Sequence, residues 1–286
     1  MGINPDMIVL RSQEPVSDEL KAKIAHFCDV APEAVVNTPD APSIYEVPLV
    51  LARENAAQLV SDRIKLGIDA EKDDNTLDEW KVVVDSLKIQ DPVVTIGIVG
   101  KYVELEDAYI SIRESLHHAA AANGLKLDLQ YLSSEVDVED SDALAEFEKE
   151  LAGYDGILIP GGFGERGVEG KLHAVDYAID NEVPIFGICL GMQLAIVEYA
   201  RNVMGFKDAA SIELDPDTTN PVIALMPDQN GVSDIGGTLR LGAYPCILKE
   251  GSLAKQLYGT QEISERHRHR YEVNNDYREA LTEAGL

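Results

Sequence analysis

The chain has 286 residues, of which 45% are apolar and 26% charged, so its composition excludes a mainly disordered or collagen-like protein. With 24 basic and 51 acidic residues its net charge is −27, which would repel nucleic acid and anionic lipid. Cys28, Cys189 and Cys246 have no zinc or redox spacing, so we expect no metal site and a cytoplasmic location. No apolar stretch approaches the ~20 residues of a membrane span, so we expect no membrane partner.

The N-terminal part of the chain, residues 1–66, is predicted to be a fragment of an α/β layer. The apolar pattern predicts strands at residues 7–10 and 34–38 and helices at residues 20–27 and from residue 48 onward. These strands are too few to close a sheet of their own, since independent stability needs three or more. Residues 67–91 carry an acidic run and one short helix around Trp80, and we interpret them as a linker.

From residue 92 to residue 286 strands and helices alternate regularly. The strands at residues 93–100, 156–159 and 183–188 are almost continuously apolar, which is typical of a parallel sheet buried on both faces. The sequence therefore predicts a doubly wound α/β domain with a mostly parallel sheet and helices on both sides. Sites in such domains form at the carboxyl ends of the strands.

The strongest chemical motif is Gly187-Ile188-Cys189-Leu190-Gly191, between a predicted buried strand and a helix. It has the G-x-C-x-G spacing of a nucleophile elbow, in which a sharp turn presents the nucleophile and needs small residues on both sides. A lone cysteine is more often a small buried apolar residue, but the flanking glycines favour a nucleophile. Because the thiol would lie at a helix N-terminus, we expect a lowered pKa.

A second motif, Pro160-Gly161-Gly162-Phe163-Gly164, ends the preceding strand. Acyl transfer needs two backbone amides around the tetrahedral oxyanion, and Leu190 and Gly162 are the candidates. A phosphate-binding loop is excluded, because a match ending at Gly170 and Lys171 would place Glu165 where that motif requires glycine.

A third motif is the basic segment at residues 265–272, ERHRHRYE, in an otherwise acidic chain. A charge run is usually a solvated face. If the segment is a strand, Arg266, Arg268 and Arg270 share one face and could grip a carboxylate.

These motifs resemble those of the CTP synthases, which aminate UTP with ammonia taken from glutamine, and the resemblance covers nearly the whole chain. The most specific segments lie at residues 160–170, 187–193, 234–246 and 265–275. The first two indicate a class I glutamine amidotransferase domain, and residues 1–66 resemble the end of the synthetase (amidoligase) domain of that family.

The resemblance implies that Cys189 attacks the glutamine amide, releasing ammonia and leaving a thioester, with the amides of Gly162 and Leu190 around the oxyanion. The implied glutamine-binding residues are Gly162, Leu190, Gly191, Met192, Gln193, Glu213 and Arg270. The implied lid, involved in activation, comprises Phe163, Gly164, Arg166, Gly167 and Gly170.

The resemblance further implies nucleotide chemistry by a ligase. Family members use ATP and Mg²⁺ to activate UTP, are activated by GTP and inhibited by the product CTP, and form homotetramers. Arg11 and Asp40 match positions beside the ATP adenine, and Lys23 matches one at the UTP and CTP pocket.

Parts of the family pattern are absent from these 286 residues. They contain neither the His-x-Glu pair that completes the cysteine triad nor the phosphate loop and magnesium ligands, and the loop at residues 228–234 is shorter than in some members. We therefore expect an internal piece of a longer enzyme that alone makes no CTP and hydrolyses glutamine poorly.

Two other functions stay open. Another hydrolase with a cysteine elbow would need a histidine within reach of Cys189, and the only candidates are those of the basic segment. A non-catalytic module, retained for assembly with intact subunits, would need neither a reactive Cys189 nor a histidine beside it.

Overall fold

The computed structural model describes residues 4–67, 75–225 and 240–286. They divide into two compact units, one extending to Pro92 and including His117–Lys126, the other comprising Val93–Leu116 and Leu127–Leu286. Within these described ranges, no helix is both long and apolar enough to cross a membrane.

Up to Pro92, the described residues of the first unit form a two-stranded parallel sheet and four α-helices. Its elements are β1 (Ile8–Ser12), α1 (Asp18–Cys28), β2 (Val35–Pro39), α2 (Val47–Arg53), α3 (Ala56–Ile64) and α4 (Asn75–Ser86). Helix α1 begins where the Ser17 hydroxyl accepts a hydrogen bond from the Leu20 amide. The single helix predicted from residue 48 is wrong, because Asn55 adopts a left-handed backbone, with φ 58°, and separates α2 from α3.

The second unit follows the predicted alternation of strands and helices. The elements from β3 to the nucleophile motif are β3 (Val93–Gly100), α5 (Ile110–Ala122), β4 (Lys126–Ser133), α6 (Ser141–Leu151), β5 (Gly156–Ile159), α7 (Val168–Asp180), β6 (Ile185–Gly187) and α8 (Leu190–Asn202). All of them belong to the second unit except the end of α5 from His117 onward and the first residue of β4. The central sheet has the order β4-β3-β5-β6, and the β3–β5 and β5–β6 pairs are parallel. The doubly wound α/β prediction is therefore confirmed.

Side-chain alternation along β3 and β5 explains why helices cover both faces of this sheet. Val99, Ile157 and Ile159 pack into one core with residues of α6 and α7. Ile98 and Leu158 point to the opposite face, where they pack against residues of α5. Every residue of β5 is buried, as expected for a central parallel strand.

The remainder of the second unit contains two smaller sheets, one of which packs against α8. Its elements are β7 (Ala209–Ser211), β8 (Asn220–Leu225), β9 (Arg240–Ile247), α9 (Leu253–Tyr258), β10 (Glu262–His269), β11 (Tyr271–Val273) and α10 (Arg278–Ala284). One sheet has the order β11-β8-β7, and the other is the antiparallel pair of β9 and β10. A third core joins α8 to the first of these sheets through Leu194, Val222 and Ile223.

We predict that Leu151→Ala lowers the free energy of unfolding by about 2–5 kcal/mol, because Leu151 is fully buried beneath the central sheet. The matched control is Leu253→Ala, since Leu253 is 69% exposed and should change stability by less than about 0.5 kcal/mol. Urea titration followed by circular dichroism measures both. Equal losses in the two variants would contradict the core described here.

Candidate active site

Cys189 lies at a sharp bend between the end of β6 and the start of α8. Its backbone has φ 54° and ψ −112°, a combination that residues with a side chain rarely adopt. The thiol is free and half-buried, not sealed in the interior. A strained cysteine on a strand-to-helix turn is the local geometry that a nucleophile elbow predicts.

The glycines on either side of the bend are required by close backbone contacts. A side chain at Gly187 would place its Cβ 2.5 Å from the Gly191 carbonyl carbon and the Met192 nitrogen. A side chain at Gly191 would overlap the backbone carbonyl of Ile159 in the neighbouring strand β5. The crowding inferred from the G-x-C-x-G spacing is therefore present on both sides of Cys189.

The loop that leaves β5 faces the thiol. A Cβ placed on Gly161 would lie 3.2 Å from the Cys189 Cβ and 3.8 Å from its Sγ, and one placed on Gly162 would lie 3.7 Å from the Leu190 side chain. The structure thus brings together the backbone segments that carry the two predicted oxyanion donors. Their role in catalysis stays a prediction.

The pKa of the Cys189 thiol differs from the prediction. Burial raises the pKa of Cys189, an effect that the Leu190 backbone amide partly offsets and that the nearby Glu213 carboxylate reinforces. The predicted lowering by the helix N-terminus is therefore wrong, because loss of hydration outweighs the helix dipole at this half-buried position. At rest the thiol is mostly protonated.

Two oppositely charged side chains, Glu213 and Arg270, lie near each other, and Glu213 also lies near the thiol. Glu213 follows strand β7, where its amide donates to the Ser211 hydroxyl. Burial raises the pKa of Glu213, and the positive charge of Arg270 opposes that rise. The Arg270 Nε is buried without a hydrogen-bond partner among the described residues. This unpaired donor suits an incoming carboxylate, as Glu213 suits an ammonium group.

The predicted glutamine-binding residues on α8 occupy its first turn. Gly191 is buried against β5, whereas Met192 is 42% exposed. Gln193 is buried, and its Nε2 donates a 2.9 Å hydrogen bond to the backbone carbonyl of Tyr271. This bond fixes the start of α8 to the segment that carries Arg270.

The predicted lid residues connect β5 to α7 and include the start of that helix. Phe163 is 71% exposed, and Gly164 and Gly167 have the positive φ values of 75° and 71° that glycine adopts without strain. Arg166 forms an ion pair with Glu135 at 2.8 Å. Gly170 is already helical and packs so closely on Ser134 that no side chain would fit.

Two lysines beside this loop were not predicted from the sequence. Lys101 follows β3, and its Nζ donates a 2.5 Å hydrogen bond to the Phe163 carbonyl. Lys171 on α7 is only 1% exposed, and its Nζ would lie 3.8 Å from a Cβ placed on Gly162. Burial and the neighbouring Lys101 lower the pKa of Lys171 to about 8. The only available signal was a lysine within an otherwise apolar helix face.

The basic segment is a strand only in part. Strand β10 ends at His269, and Arg270 lies between β10 and β11, so the prediction of one shared face for three arginines is wrong. Arg266 and Arg268 are exposed on β10, whereas Arg270 is half-buried near Glu213. The chain changes sheets at Arg270, which turns this residue away from the other two.

The predicted nucleotide residues belong to the first unit. Arg11 and Asp40 form an exposed ion pair at 3.3 Å, and Asp40 borders a cleft of about 380 Å³. Lys23 lies on the exposed side of α1, outside this pair. In the described ranges, no cluster of three or more His, Cys, Asp or Glu side chains could hold a metal ion. The loop at residues 228–234 lies outside the described residues.

Comparison with known proteins supports the glutaminase interpretation. The family model of class I glutamine amidotransferases matches residues 104–285, well over half of the chain. The chain belongs to the class I glutamine amidotransferase family. A second family model, that of the CTP synthase N-terminus, matches residues 1–66.

Individual relatives agree with both family models. The chain is 55% identical over 285 residues to CTP synthase of Methanothermobacter thermautotrophicus, covering 100% of the chain and 51% of that protein. It is 51% identical over 286 residues to CTP synthase of Staphylococcus aureus, covering 100% of the chain and 52% of that protein. The resemblance to the CTP synthases is therefore confirmed, and the chain spans about half the length of these relatives.

A solved structure gives the same result for the fold. The glutaminase domain of Trypanosoma brucei CTP synthase with bound acivicin matches with a TM-score of 0.61 and 41% sequence identity. The match covers 67% of this chain and 72% of that one.

We predict that Cys189 reacts with iodoacetamide along a pH profile whose midpoint lies above the ordinary thiol pKa of about 8.5, because burial raises its pKa. Glu213→Gln should shift the midpoint downward, since it removes a nearby negative charge. The measurement uses the double variant Cys28→Ser/Cys246→Ser as background, so that only Cys189 is labelled. Cys28 and Cys246 are exposed and would otherwise react as well. A midpoint below that of a free thiol would restore the helix-dipole interpretation.

We also predict that Lys171→Met stabilises the chain by about 3 kcal/mol at pH 7, because each unit by which burial lowers a lysine pKa costs about 1.4 kcal/mol while the folded state holds the charge. The gain should shrink as pH rises from about 8 to about 10, where the folded lysine is neutral and the unfolded one still binds its proton. Urea unfolding at several pH values measures this. Lys149→Met, at an exposed position on α6, is the control and should show no such trend.

Proposed function

We propose that the second unit hydrolyses L-glutamine at Cys189 and serves as the glutaminase part of a CTP synthase. The observation that supports this most directly is that Glu213 lies near both the strained thiol and Arg270, because the opposite charges of Glu213 and Arg270 match the ammonium and carboxylate of an amino acid. The unpaired Arg270 Nε gives this charge pair a donor still available to a ligand.

In the proposed reaction the sulfur of Cys189 gives up its proton to a base and bonds to the amide carbon of glutamine. The carbonyl oxygen becomes an oxyanion, for which the amides of Gly162 and Leu190 are the proposed donors. The tetrahedral intermediate collapses as its C–N bond breaks and the nitrogen leaves, protonated, as ammonia. Water then hydrolyses the thioester, yielding glutamate and restoring the thiol.

The raised pKa of Cys189 makes the base important to this scheme, because the thiolate is the nucleophile. Among the described residues no histidine forms a hydrogen bond with Cys189, and His267 and His269 bond to each other instead. Those two histidines were the only candidates for the triad of an alternative cysteine hydrolase, and neither of them is hydrogen-bonded to Cys189. The CTP synthase resemblance assigns the base to a His-x-Glu pair.

For the whole enzyme we propose amination of UTP to CTP at the expense of ATP and Mg²⁺, with GTP as activator, CTP as feedback inhibitor and a cytoplasmic homotetramer as the working form. These proposals come from the CTP synthase relatives. Arg11, Lys23 and Asp40 are the proposed nucleotide contacts. The described residues offer no metal-binding cluster, so we assign no step of UTP activation to them.

The domain boundaries are proposed on the same basis. Residues 1–66 would be the C-terminal part of the synthetase (amidoligase) domain, 67–91 the linker, and 92–286 the glutaminase domain. The exposed Phe163 and the glycines at residues 164 and 167 would let the intervening loop act as a lid, for which Gly170 would be a packed anchor at the start of α7.

A diazo-ketone analogue of L-glutamine tests the glutamine site. We expect mass spectrometry to find the adduct on Cys189 and to find none at that position in Cys189→Ala. Arg270→Met should slow labelling about tenfold or more, because a buried charge pair with the substrate carboxylate is lost.

The matched control is Arg268→Met, which removes the same side chain from an exposed position two residues away. Its labelling rate should equal that of the unmodified chain. Equal slowing in both arginine variants, or equal labelling by the D-enantiomer of the analogue, would refute a specific glutamine site.

A further inference from the structure

Two histidines of the basic segment form a hydrogen-bonded pair on strand β10. His267 and His269 are two residues apart and therefore project from the same side of the strand. The Nδ1 of His267 lies 2.8 Å from the Nε2 of His269, and the Nδ1 of His269 lies 3.2 Å from the backbone carbonyl of Tyr271. The two rings and this carbonyl thus form a continuous chain.

The carbonyl at the end of this chain determines where the protons are. A carbonyl oxygen only accepts, so the Nδ1 of His269 must carry hydrogen. In a neutral His269 the Nε2 is then bare and accepts, so the Nδ1 of His267 must donate to it. Both rings are therefore held in the Nδ1–H form, with the donors pointing from His267 toward Tyr271.

The same carbonyl is the acceptor for Gln193. Its Nε2 donates to the Tyr271 oxygen at 2.9 Å, so one oxygen receives bonds from β10 and from the first turn of α8. Arg270, with its unpaired buried Nε, lies between the two histidines and Tyr271 along the chain. Tyr271 directly follows Arg270 in the sequence, so this carbonyl ties the first turn of α8 to the residue next to Arg270.

We propose that His267 and His269 are positioning residues that hold Arg270 and Gln193 in the geometry for binding the amino-acid part of glutamine. This inference rests on the proposed glutaminase function. The proposed reaction gives no role to the two histidines of the ERHRHRYE segment, because neither ring is hydrogen-bonded to Cys189. The inference assigns them one.

The hydrogen-bonded series of His267, His269 and the Tyr271 carbonyl, which we call the relay, has a defined response to protonation. One added proton can reside on the Nε2 of His267 without breaking a bond, because its Nδ1 still donates. A proton on the Nε2 of His269 places an N–H group on both sides of the contact between the rings, so neither nitrogen can accept and their hydrogen bond is lost. Glutamine affinity should therefore fall once the pair holds two protons.

Other charged groups near the pair also enter this pH response. Glu265 shares the face of His267 and accepts a hydrogen bond from the Tyr258 hydroxyl at 2.7 Å, and the Tyr244 ring of β9 packs edge-on against His267. Glu213 faces Arg270, and because burial raises its pKa, its own protonation also weakens ammonium binding at acid pH. The contribution of the histidines is therefore the difference in glutamine affinity between the unmodified chain and a histidine variant, both of which keep Glu213.

Calorimetric titration of L-glutamine into the full chain tests the proposal, with Cys189→Ala as background to prevent turnover. At about pH 7.5, where histidine is largely neutral, His269→Leu should weaken binding about tenfold, because the Tyr271 carbonyl loses a donor and the relay is cut. His269→Asn should stay within about threefold, since its amide N–H can replace the Nδ1 donor. His26→Asn, exposed on α1, is the matched control and should change nothing.

Titrations at lower pH separate the effect of the relay on glutamine affinity from the effect of Glu213 protonation. As the pH is lowered, the unmodified relay should lose affinity more steeply than His269→Asn. Equal slopes, or equal affinities in the Leu and Asn variants, would overturn the proposal. If adding Arg270→Met leaves glutamine binding unchanged, the glutamine site itself fails, and the relay fails with it.

A measurement without any relay variant gives an independent check. Long-range ¹H–¹⁵N correlation spectra of the imidazoles report which ring nitrogen carries hydrogen. We expect Nδ1–H on both His267 and His269 at neutral pH. Hydrogen on the Nε2 of His269 instead would overturn the relay even if a variant failed to fold.

Discussion

Strand β5 and helix α8 approach each other so closely at Ile159 and Gly191 that no side chain fits between them. This contact fixes the first turn of α8 against the buried centre of the sheet. The unusual backbone of Cys189 persists because the residues on both sides leave it no relaxed alternative. The loop leaving β5 at Gly161 then faces the thiol as a direct consequence of the strand pairing, and Gln193, within the same turn of α8, is aimed at Tyr271.

The electrostatics of the site oppose those of the whole chain, whose net charge is −27. Lys101 and Lys171 place positive groups beside the loop that faces the thiol, and Arg270 places another near Glu213; there a substrate carboxylate or an oxyanion would otherwise meet a repulsive field. Glu213 has the opposite effect, since it raises the pKa of the Cys189 thiol. In the proposed reaction, a cysteine that stays protonated at rest has little reactivity of its own, so its activation would depend on a base acting when the amide is in place.

Much of the second unit could be predicted, because its strands are apolar on both faces and its Gly-x-Cys-x-Gly spacing has one common structural meaning. What could not be predicted depended on distances between segments far apart in sequence. The thiol pKa is a balance between burial and the helix dipole, and the sequence shows the helix but not the burial. Lys171 was missed because its burial depends on α7 packing beside the Gly162 loop. The break at Asn55 was missed because asparagine signals a left-handed residue only weakly.

The basic segment shows how a repetitive sequence can carry several roles at once. A two-residue period on β10 sends Arg266 and Arg268 to solvent and turns the two histidines to the partly buried face. The period fails at Arg270, where the chain leaves the β9–β10 pair and joins the β11-β8-β7 sheet. A strand that continued would have exposed this third arginine like the others. Because the chain changes sheets there, its guanidinium is half-buried near Glu213, and the histidine pair lies where it can brace the residue that makes the change.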